Sequence, residues 1–253
     1  MTTATRIRPL AGALLTAAVL TATAACAPGE ATVTGGTAAL GASSSTSTPS
    51  PAAAPDRMPT TPAETLALLK TLRIAPEDTG AHYDRDDWKH WIPQPSAGKG
   101  CNTREMILIQ QGRNETAAGH AAVTRDPATC EPLAGHGNIW HSLYDNVTVT
   151  DPAALDVDHV VPLEQMTRSG TRGWTAAQRQ AYANDPDVLV AVTAKSNRQK
   201  GSKDPAKWMP SNPEVRFEYL RTWVFVKATF KVAVDQAEHD AIAGMLRHMP
   251  KGR

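Results

Sequence analysis

The chain has 253 residues, which give room for one or two domains, and carries 26 Lys and Arg against 25 Asp and Glu. The net charge of +1 indicates no class of partner by itself, so any electrostatic argument must come from local charge. The three cysteines form no CxxC pair, which argues against a zinc site, and the absence of internal repeats excludes a repeat architecture.

The first 26 residues have the order of an export signal. Arg6 and Arg8 precede an apolar run over residues 10–20, which small residues follow up to Cys26. The run is too short for a good membrane span. Cys26 resembles the lipid-acceptor cysteine of bacterial lipoproteins. We expect an exported protein that is either anchored to the outer face of the bacterial membrane through Cys26 or, alternatively, simply secreted.

Residues 27–60 are mostly Ala, Gly, Ser, Thr and Pro and contain no aromatic residue. Such a stretch cannot bury enough apolar surface to offset its conformational entropy. We predict a disordered linker over 27–60 and one folded domain over 61–253.

The folded part should begin with a helix, because Thr61, Pro62 and Glu64 match a capping box with proline in the first turn. This helix is expected to reach about Arg73. Apolar and β-branched runs then predict strands over 104–110, 146–150, 155–161 and 188–193.

Four further helices are predicted from capping and periodicity. They lie over 175–183, from about Ser196, from Asn212-Pro213, and after Asp235 with Glu238 three residues on. This order of elements predicts an α+β fold with a small antiparallel sheet and surrounding helices.

Cys101 and Cys130 remain as a pair once Cys26 is assigned to the export signal. In an exported domain a disulfide between them can persist. Closing a loop of about 30 residues would stabilise the fold by roughly 3 to 4 kcal/mol.

Local charge is concentrated between Lys195 and Lys231, where nine Lys or Arg face three acidic residues and leave an excess of +6. Such a segment is typical of a surface that binds a phosphate backbone, although an ordinary solvated helix face has the same composition. It begins beside the residues with the strongest chemical signal.

That signal is the pair Asp158-His159 at the end of a predicted strand, with Asn197 near the start of a predicted helix. His159 can act as a base, because an unperturbed imidazole has a pKa of about 6.5. In an extended strand the Asp158 side chain points to the face opposite that of His159, so it can bind a metal ion while His159 acts on water. One carboxylate and one amide oxygen suffice for Mg²⁺, which keeps several waters. Lys200 could then reach a phosphate oxygen.

The segments Asp158-His159-Val160-Val161-Pro162-Leu163 and Asn197-Arg198-Gln199-Lys200-Gly201 resemble the HNH, or ββα-metal, endonuclease family. The likeness is to a secreted actinobacterial branch related to the C-terminal nuclease domain of modification-dependent restriction enzymes. It implies a ββα-metal core, one divalent ion held by Asp158 and Asn197, and His159 as general base. Asn184 matches the middle Asn, which braces the loop and orients the base. Mg²⁺ is the expected ion, with Mn²⁺, Ca²⁺ and Zn²⁺ as alternatives.

Other residues can be assigned less directly. Arg198 and Lys203 are expected to bind the substrate backbone. Arg104 and Glu105 could support the site from a neighbouring strand or form a structural ion pair. Four further residues could contact substrate or be ordinary surface or core residues: His136, His141, Trp88 and Trp91.

The sequence therefore predicts an exported, monomeric, metal-dependent endonuclease that cleaves DNA with weak sequence specificity, because backbone contacts carry little sequence information. Two alternatives remain open. One is a surface-tethered module that binds nucleic acid without cleaving it. The other is a metal hydrolase with a different substrate.

Overall fold

The computed structural model describes residues 55–116 and 119–250. The predicted signal peptide with Cys26, and the linker as far as residue 54, lie outside this range. No helix in the described ranges is both long and apolar enough to span a membrane. The described helices are α1 (Pro62–Leu69), α2 (Thr103–Gln111), α3 (Leu163–Arg168), α4 (Ala176–Ala183), α5 (Ala194–Lys200), α6 (Arg216–Thr229) and α7 (Gln236–His248).

The strands form two antiparallel sheets, which confirms the predicted α+β class. The strands are β1 (Arg113–Thr116), β2 (Gly119–Ala121), β3 (Asn138–Ser142), β4 (Val147–Val149), β5 (Leu155–His159) and β6 (Leu189–Thr193). One sheet has the order β2-β1-β3-β4, and the other consists of β5 and β6. Leu155 pairs with Thr193 and His159 pairs with Leu189, and α5 follows β6 directly. The β5-β6-α5 segment is thus a ββα unit with α3 and α4 inserted between its strands.

Several local signals predicted the elements correctly. Thr175 and Gln178 form a complete capping box at the start of α4, and the Asp235 side chain accepts a hydrogen bond from the Glu238 amide at the start of α7. Thr61 caps α1 as expected. That helix ends at Leu69 instead of Arg73, because Ile74 is extended and pairs with Val234.

The predicted strand over residues 104–110 is wrong, since these residues lie in helix α2. Asn102 and Glu105 form a capping box at its first turn. The run from Met106 to Leu108 is apolar because three consecutive helical positions are buried. A short apolar run fits a buried helix and a buried strand equally well, so the cap carried the decisive information.

Two helix starts also differ from the predictions. α5 begins at Ala194, two residues before Ser196, because Thr193 is its N-cap and accepts from the Ser196 amide. Asn212-Pro213 opens a short 3₁₀ turn, and α6 begins only at Arg216.

The predicted disulfide is present, and the Cα atoms of Cys101 and Cys130 lie 4.9 Å apart. It joins the residue before the N-cap of α2 to the loop between β2 and β3. Arg125 Nη1 donates to Ala97 O at 2.8 Å from within that loop. The bridge therefore fixes the segment from which α2 starts.

Candidate active site

A pocket of about 300 Å³ brings together residues from three distant parts of the chain. They come from the segment before α2, from the end of β5 with the start of α3, and from α5 with the turn after it. The lining residues are Tyr83, Arg85, Val157, Asp158, His159, Pro162, Leu163, Glu164, Asn197, Arg198, Gly201 and Ser202. The predicted base, both predicted metal ligands and one predicted substrate contact thus line one pocket.

His159 is buried, and its ring has one fixed and one free nitrogen. Nε2 lies 3.0 Å from the carbonyl oxygen of Ala183, which can only accept, so Nε2 carries the proton. Nδ1 has no hydrogen-bond partner among the described residues. Burial lowers the pKa of His159 to about 3, although the Ala183 carbonyl opposes the shift. The imidazole is therefore neutral at physiological pH, with a lone pair on Nδ1.

Asp158 points to the other side of β5, as the alternation of a strand predicts. Its Oδ2 accepts from the Tyr144 hydroxyl at 2.7 Å and contacts Lys200 Nζ at 2.8 Å, and its Oδ1 accepts from Lys200 at 2.9 Å. Burial raises the pKa of Asp158, and the positive charge of Lys200 opposes this effect. Protein partners therefore occupy most of the hydrogen-bond acceptor sites of this carboxylate.

Lys200 does not reach into solvent as a phosphate contact would. Its side chain is fully buried, and its ammonium donates to both oxygens of Asp158 and, at 2.9 Å, to the backbone oxygen of His159. Burial lowers its pKa, and Asp158 opposes the change. In this geometry Lys200 holds the strand end that carries Asp158 and His159.

Asn197 lies in the middle of α5 and turns its amide toward β5. Its Nδ2 donates to Asp156 Oδ2 at 3.0 Å, which leaves Oδ1 without a partner in the described ranges. Asp145 fixes the start of α5, because its carboxylate accepts from Ser142 and from the N-cap Thr193. The helix that presents Asn197 is thus tied to the larger sheet.

Asn184 is buried, but it does not contact the imidazole. Its Nδ2 donates to Lys89 O at 2.6 Å and to Gln180 O at 2.8 Å, and its Oδ1 accepts from Ile92 N at 3.1 Å and from Thr103 Oγ1 at 2.7 Å. The residue therefore braces a segment of the chain about 90 residues upstream of it.

The remaining predicted basic contacts are exposed. The Arg198 side chain is 78% exposed, with Nε 4.0 Å from Asp156 Oδ2. Lys203 is exposed and donates to Gln199 O at 2.7 Å. Both are free enough to meet a polyanion.

Arg104 and Glu105 lie on α2 and not on a neighbouring strand. Arg104 donates to Pro152 O and Leu155 O at 3.4 Å, and Glu105 accepts from the Asn102 amide. Neither lines the pocket. Their contacts are structural: one supports the start of β5 and the other caps α2.

The other aromatic and histidine candidates differ in their exposure and in their distance from the pocket. His136 and His141 are exposed and do not line the pocket. Trp88 is a core residue, with its ring centroid 5.7 Å from that of Tyr182. Trp91 lies at the site, with its ring stacked over His159 at a centroid distance of 6.0 Å.

A second acidic group lies outside the pocket. Ligand atoms of Glu77, Asp204 and Asp235 lie within 4.8 Å of one another. Arg168 contacts Glu77 at 3.3 Å and Lys207 contacts Asp204 at 2.6 Å, so two cations already compensate this group.

Several site residues carried no separate signal in the sequence. Tyr144 belongs to no motif, so its hydrogen bond to Asp158 cannot be read from the sequence. Asp156 is two residues before Asp158 on the same face of β5, so strand periodicity could have indicated it. Arg85 and Tyr182 reach the site only through folding.

The ββα unit carries an Asp-His pair on its first strand and an Asn on its helix, which is the arrangement that the resemblance to the HNH class predicts. Residues 135–245 match the family of the C-terminal domain of GmrSD restriction endonucleases. The match covers β5, β6 and α5 together with the inserted helices. The predicted relation to the C-terminal domain of restriction enzymes is thus confirmed, and the actinobacterial branch stays a prediction.

A similar protein is the "Uncharacterized secreted protein" of Arthroderma benhamiae (strain ATCC MYA-4681 / CBS 112371). It is 35% identical over 211 residues, which are 83% of this chain and 96% of the relative. The similarity therefore extends well beyond the pocket. No solved structure matches the chain.

Proposed function

We propose that this protein is an exported, metal-dependent endonuclease that hydrolyses phosphodiester bonds of DNA with weak sequence specificity. The observation that carries the proposal is the state of His159. It is a neutral imidazole with Nε2–H fixed by Ala183 O, and it lines the same pocket as Asp158, Asn197 and Arg198. Family membership supports a nuclease over other hydrolases.

In the proposed reaction, Nδ1 of His159 takes a proton from a water molecule in the pocket. The resulting hydroxide attacks phosphorus, and the bond from phosphorus to the leaving oxygen breaks. The hydrogen bond from Nε2 to Ala183 stabilises the imidazolium that forms and holds the ring in one tautomer. The lowered pKa makes His159 a weak base in the resting pocket.

The donor set of the pocket fits a hard divalent cation. A carboxylate has about four lone-pair sites, and Asp158 uses three of them for Tyr144 and Lys200, so one remains on Oδ1. Asn197 offers Oδ1, and Asp156 adds a second carboxylate beside it. Asp158 and Asn197 would hold the ion, with Mg²⁺ the expected metal. When bound, the ion would neutralise charge that develops on the phosphate.

Two exposed arginines support recognition of the DNA backbone. Arg198 lies on α5 and Arg85 lies in the turn before Trp88, and both line the pocket from different segments. Lys203 extends the basic surface beyond α5. Contacts of this kind bind phosphates of any sequence and give strongly salt-dependent affinity.

Export is supported by three observations of different kinds. The first 26 residues have the order of a signal peptide, Cys101 and Cys130 form a disulfide, and a relative is named a secreted protein.

We propose that Cys26 carries a lipid anchor and that the protein works as a monomer. Radiolabelled palmitate incorporation that Cys26→Ala abolishes would test the anchor.

The central experiment is a cleavage assay of the purified protein on supercoiled and linear DNA with Mg²⁺, Mn²⁺, Ca²⁺ or Zn²⁺, and with EDTA. We expect metal-dependent nicking and linearisation that His159→Ala abolishes. His141→Ala, an exposed histidine on β3, is the matched control and should keep parental activity.

Salt-dependent DNA binding with no product under any metal would instead identify a binding module. A His159→Ala protein as active as the parent would move the site elsewhere in the chain. Parallel assays with single-stranded DNA and RNA define the substrate range.

A further inference from the structure

The imidazole of His159 stacks with two aromatic rings. The Trp91 ring is 6.0 Å away at an interplanar angle of 21°, and the Tyr182 ring is 6.0 Å away on a similar plane at 23°. Both separations lie in the range of stacked aromatic pairs. Tyr182 is held in place because its hydroxyl donates to Val161 O. Trp91 comes from a different part of the chain, before α2.

The backbone of Trp91 has φ = 60°, a left-handed conformation that a bulky residue rarely adopts. Such a conformation persists only where the surrounding structure imposes it. Here Asn184 imposes it from both sides. Its amide donates to Lys89 O and accepts from Ile92 N, the residues that flank His90 and Trp91.

Asn184 is also linked to His159 through the residue that precedes it in the chain. Asn184 directly follows Ala183, whose carbonyl oxygen accepts the Nε2 proton of His159. The Ala183 carbonyl therefore restricts rotation of the imidazole within the plane of its ring. Asn184 holds the turn that lays Trp91 over one face of the ring. The two contacts restrict different motions of the same imidazole.

We propose that Trp91 is a positioning residue for His159: its indole closes one face of the imidazole and keeps Nδ1 directed for proton transfer. The proposal rests on the proposed role of His159 as the base. Trp91 does not line the pocket, so it acts through His159 and not on substrate. The strained backbone is the structural requirement for this placement.

The test compares Trp91→Gly with Trp91→Phe in the complete purified protein. Glycine accepts φ = 60° without strain, so Trp91→Gly should keep the turn and lose only the ring. We expect its kcat for DNA cleavage to fall about 10- to 100-fold with KM within about twofold of the parent, the signature of lost orientation. Trp91→Phe keeps an aromatic ring and should retain most of the kcat. Phe217→Ala, a partly buried aromatic residue on α6, is the matched control and should behave as the parent.

A second readout does not depend on activity. In protein labelled with ¹⁵N-histidine, the Nε2–H of His159 should give a slowly exchanging signal, because it is buried and hydrogen-bonded to Ala183 O. In Trp91→Gly this signal should exchange faster, and the carbon-bound ring protons should move downfield as the indole ring current is lost. Phe217→Ala should change neither.

The outcomes separate the two proposals. If the parent does not cleave DNA but Trp91→Gly still alters the His159 signals, the proposed function fails and the positioning role stands. A parental kcat together with unchanged imidazole signals in Trp91→Gly overturns the positioning role. An equal loss in Trp91→Phe and Trp91→Gly also overturns it, since the ring would then not be the determinant.

Discussion

Two buried lysine–carboxylate pairs lie in different regions of this protein and have different surroundings. Lys227 contacts Glu238 at 2.8 Å between α6 and α7, and Lys200 contacts Asp158 at 2.8 Å beneath the pocket. Both lysines and Glu238 are fully buried, whereas Asp158 keeps 7% of its side-chain surface exposed. Burial lowers the pKa of each lysine in both pairs.

The difference between the pairs lies in what surrounds them. Lys227 donates to Glu238, Ser169 and the Ala233 backbone, and the other oxygen of Glu238 accepts from Trp223. Asp158 retains a lone-pair site and lines the pocket. A pair that is enclosed on all sides joins elements of the fold, whereas a pair whose carboxylate lines a pocket remains available for chemistry.

The largest effect is expected for Lys200→Met, which leaves Asp158 charged and short of partners. We expect the free energy of unfolding in EDTA to fall by about 3 to 5 kcal/mol, and cleavage to fall about 100-fold because the end of β5 loses its support. Added Mn²⁺ should recover part of the stability, since a cation can replace the lost charge. Urea unfolding with and without Mn²⁺ tests this, and a loss that no divalent ion reduces would contradict the cation site.

Lys227→Met should cost a similar free energy of unfolding, about 3 to 5 kcal/mol, because Glu238 is left as an unpaired buried charge. The pocket is unaffected, so kcat per folded molecule should equal that of the parent. Mn²⁺ should not restore stability. A drop in kcat at a temperature where the variant is fully folded would show that the two regions are coupled.

Tyr144→Phe removes one hydrogen bond to Asp158 and leaves its lysine partner in place. Hydrogen bonds to charged groups contribute about 1.5 to 3 kcal/mol, so a loss in that range is expected in urea unfolding. Tyr219→Phe is the control, because the buried Tyr219 hydroxyl has no hydrogen-bond partner in the described part of the chain. Equal losses in the two variants would indicate that packing, not the hydrogen bond, is responsible.

The smallest effect is expected for the double variant Lys227→Met/Glu238→Gln. The amide still accepts from Trp223 and leaves no buried charge, so stability should return to within about 1 to 2 kcal/mol of the parent. A double-mutant cycle by urea unfolding measures this recovery. Additive losses would mean that Glu238 is not destabilised by the missing lysine.

Much of the fold could be predicted where the signal is local. The caps of α4 and α7 and the apolar, β-branched run of β6 identified these elements from a few neighbouring residues. α2 was missed because its buried positions are consecutive, and β1 and β2 were missed because their sequences, RNET and GHA, are polar and mostly exposed. Strands of this kind depend on pairing partners more than on their own composition.

The same distinction between local signals and tertiary packing applies to the site. The two motif segments identified the Asp158-His159 pair and Asn197, and the structure brings all three residues to one pocket. Lys200 was predicted to contact phosphate, but it is buried, because helical spacing gives the face of a residue and not whether that face meets solvent. Trp91 and Tyr144 join the site from 68 and 15 positions upstream of His159, a proximity that only tertiary packing creates.

The insertion between β5 and β6 sets a limit on transplanting or miniaturising this domain. A designer who shortened the hairpin to a tight turn would preserve both strands, α5 and the recognisable motif. The same deletion would remove Tyr182, the Ala183 carbonyl and Asn184, and with them every observed support of the His159 ring except Trp91. The smallest portable unit therefore includes the insertion and the upstream segment from residue 83 to the start of α2.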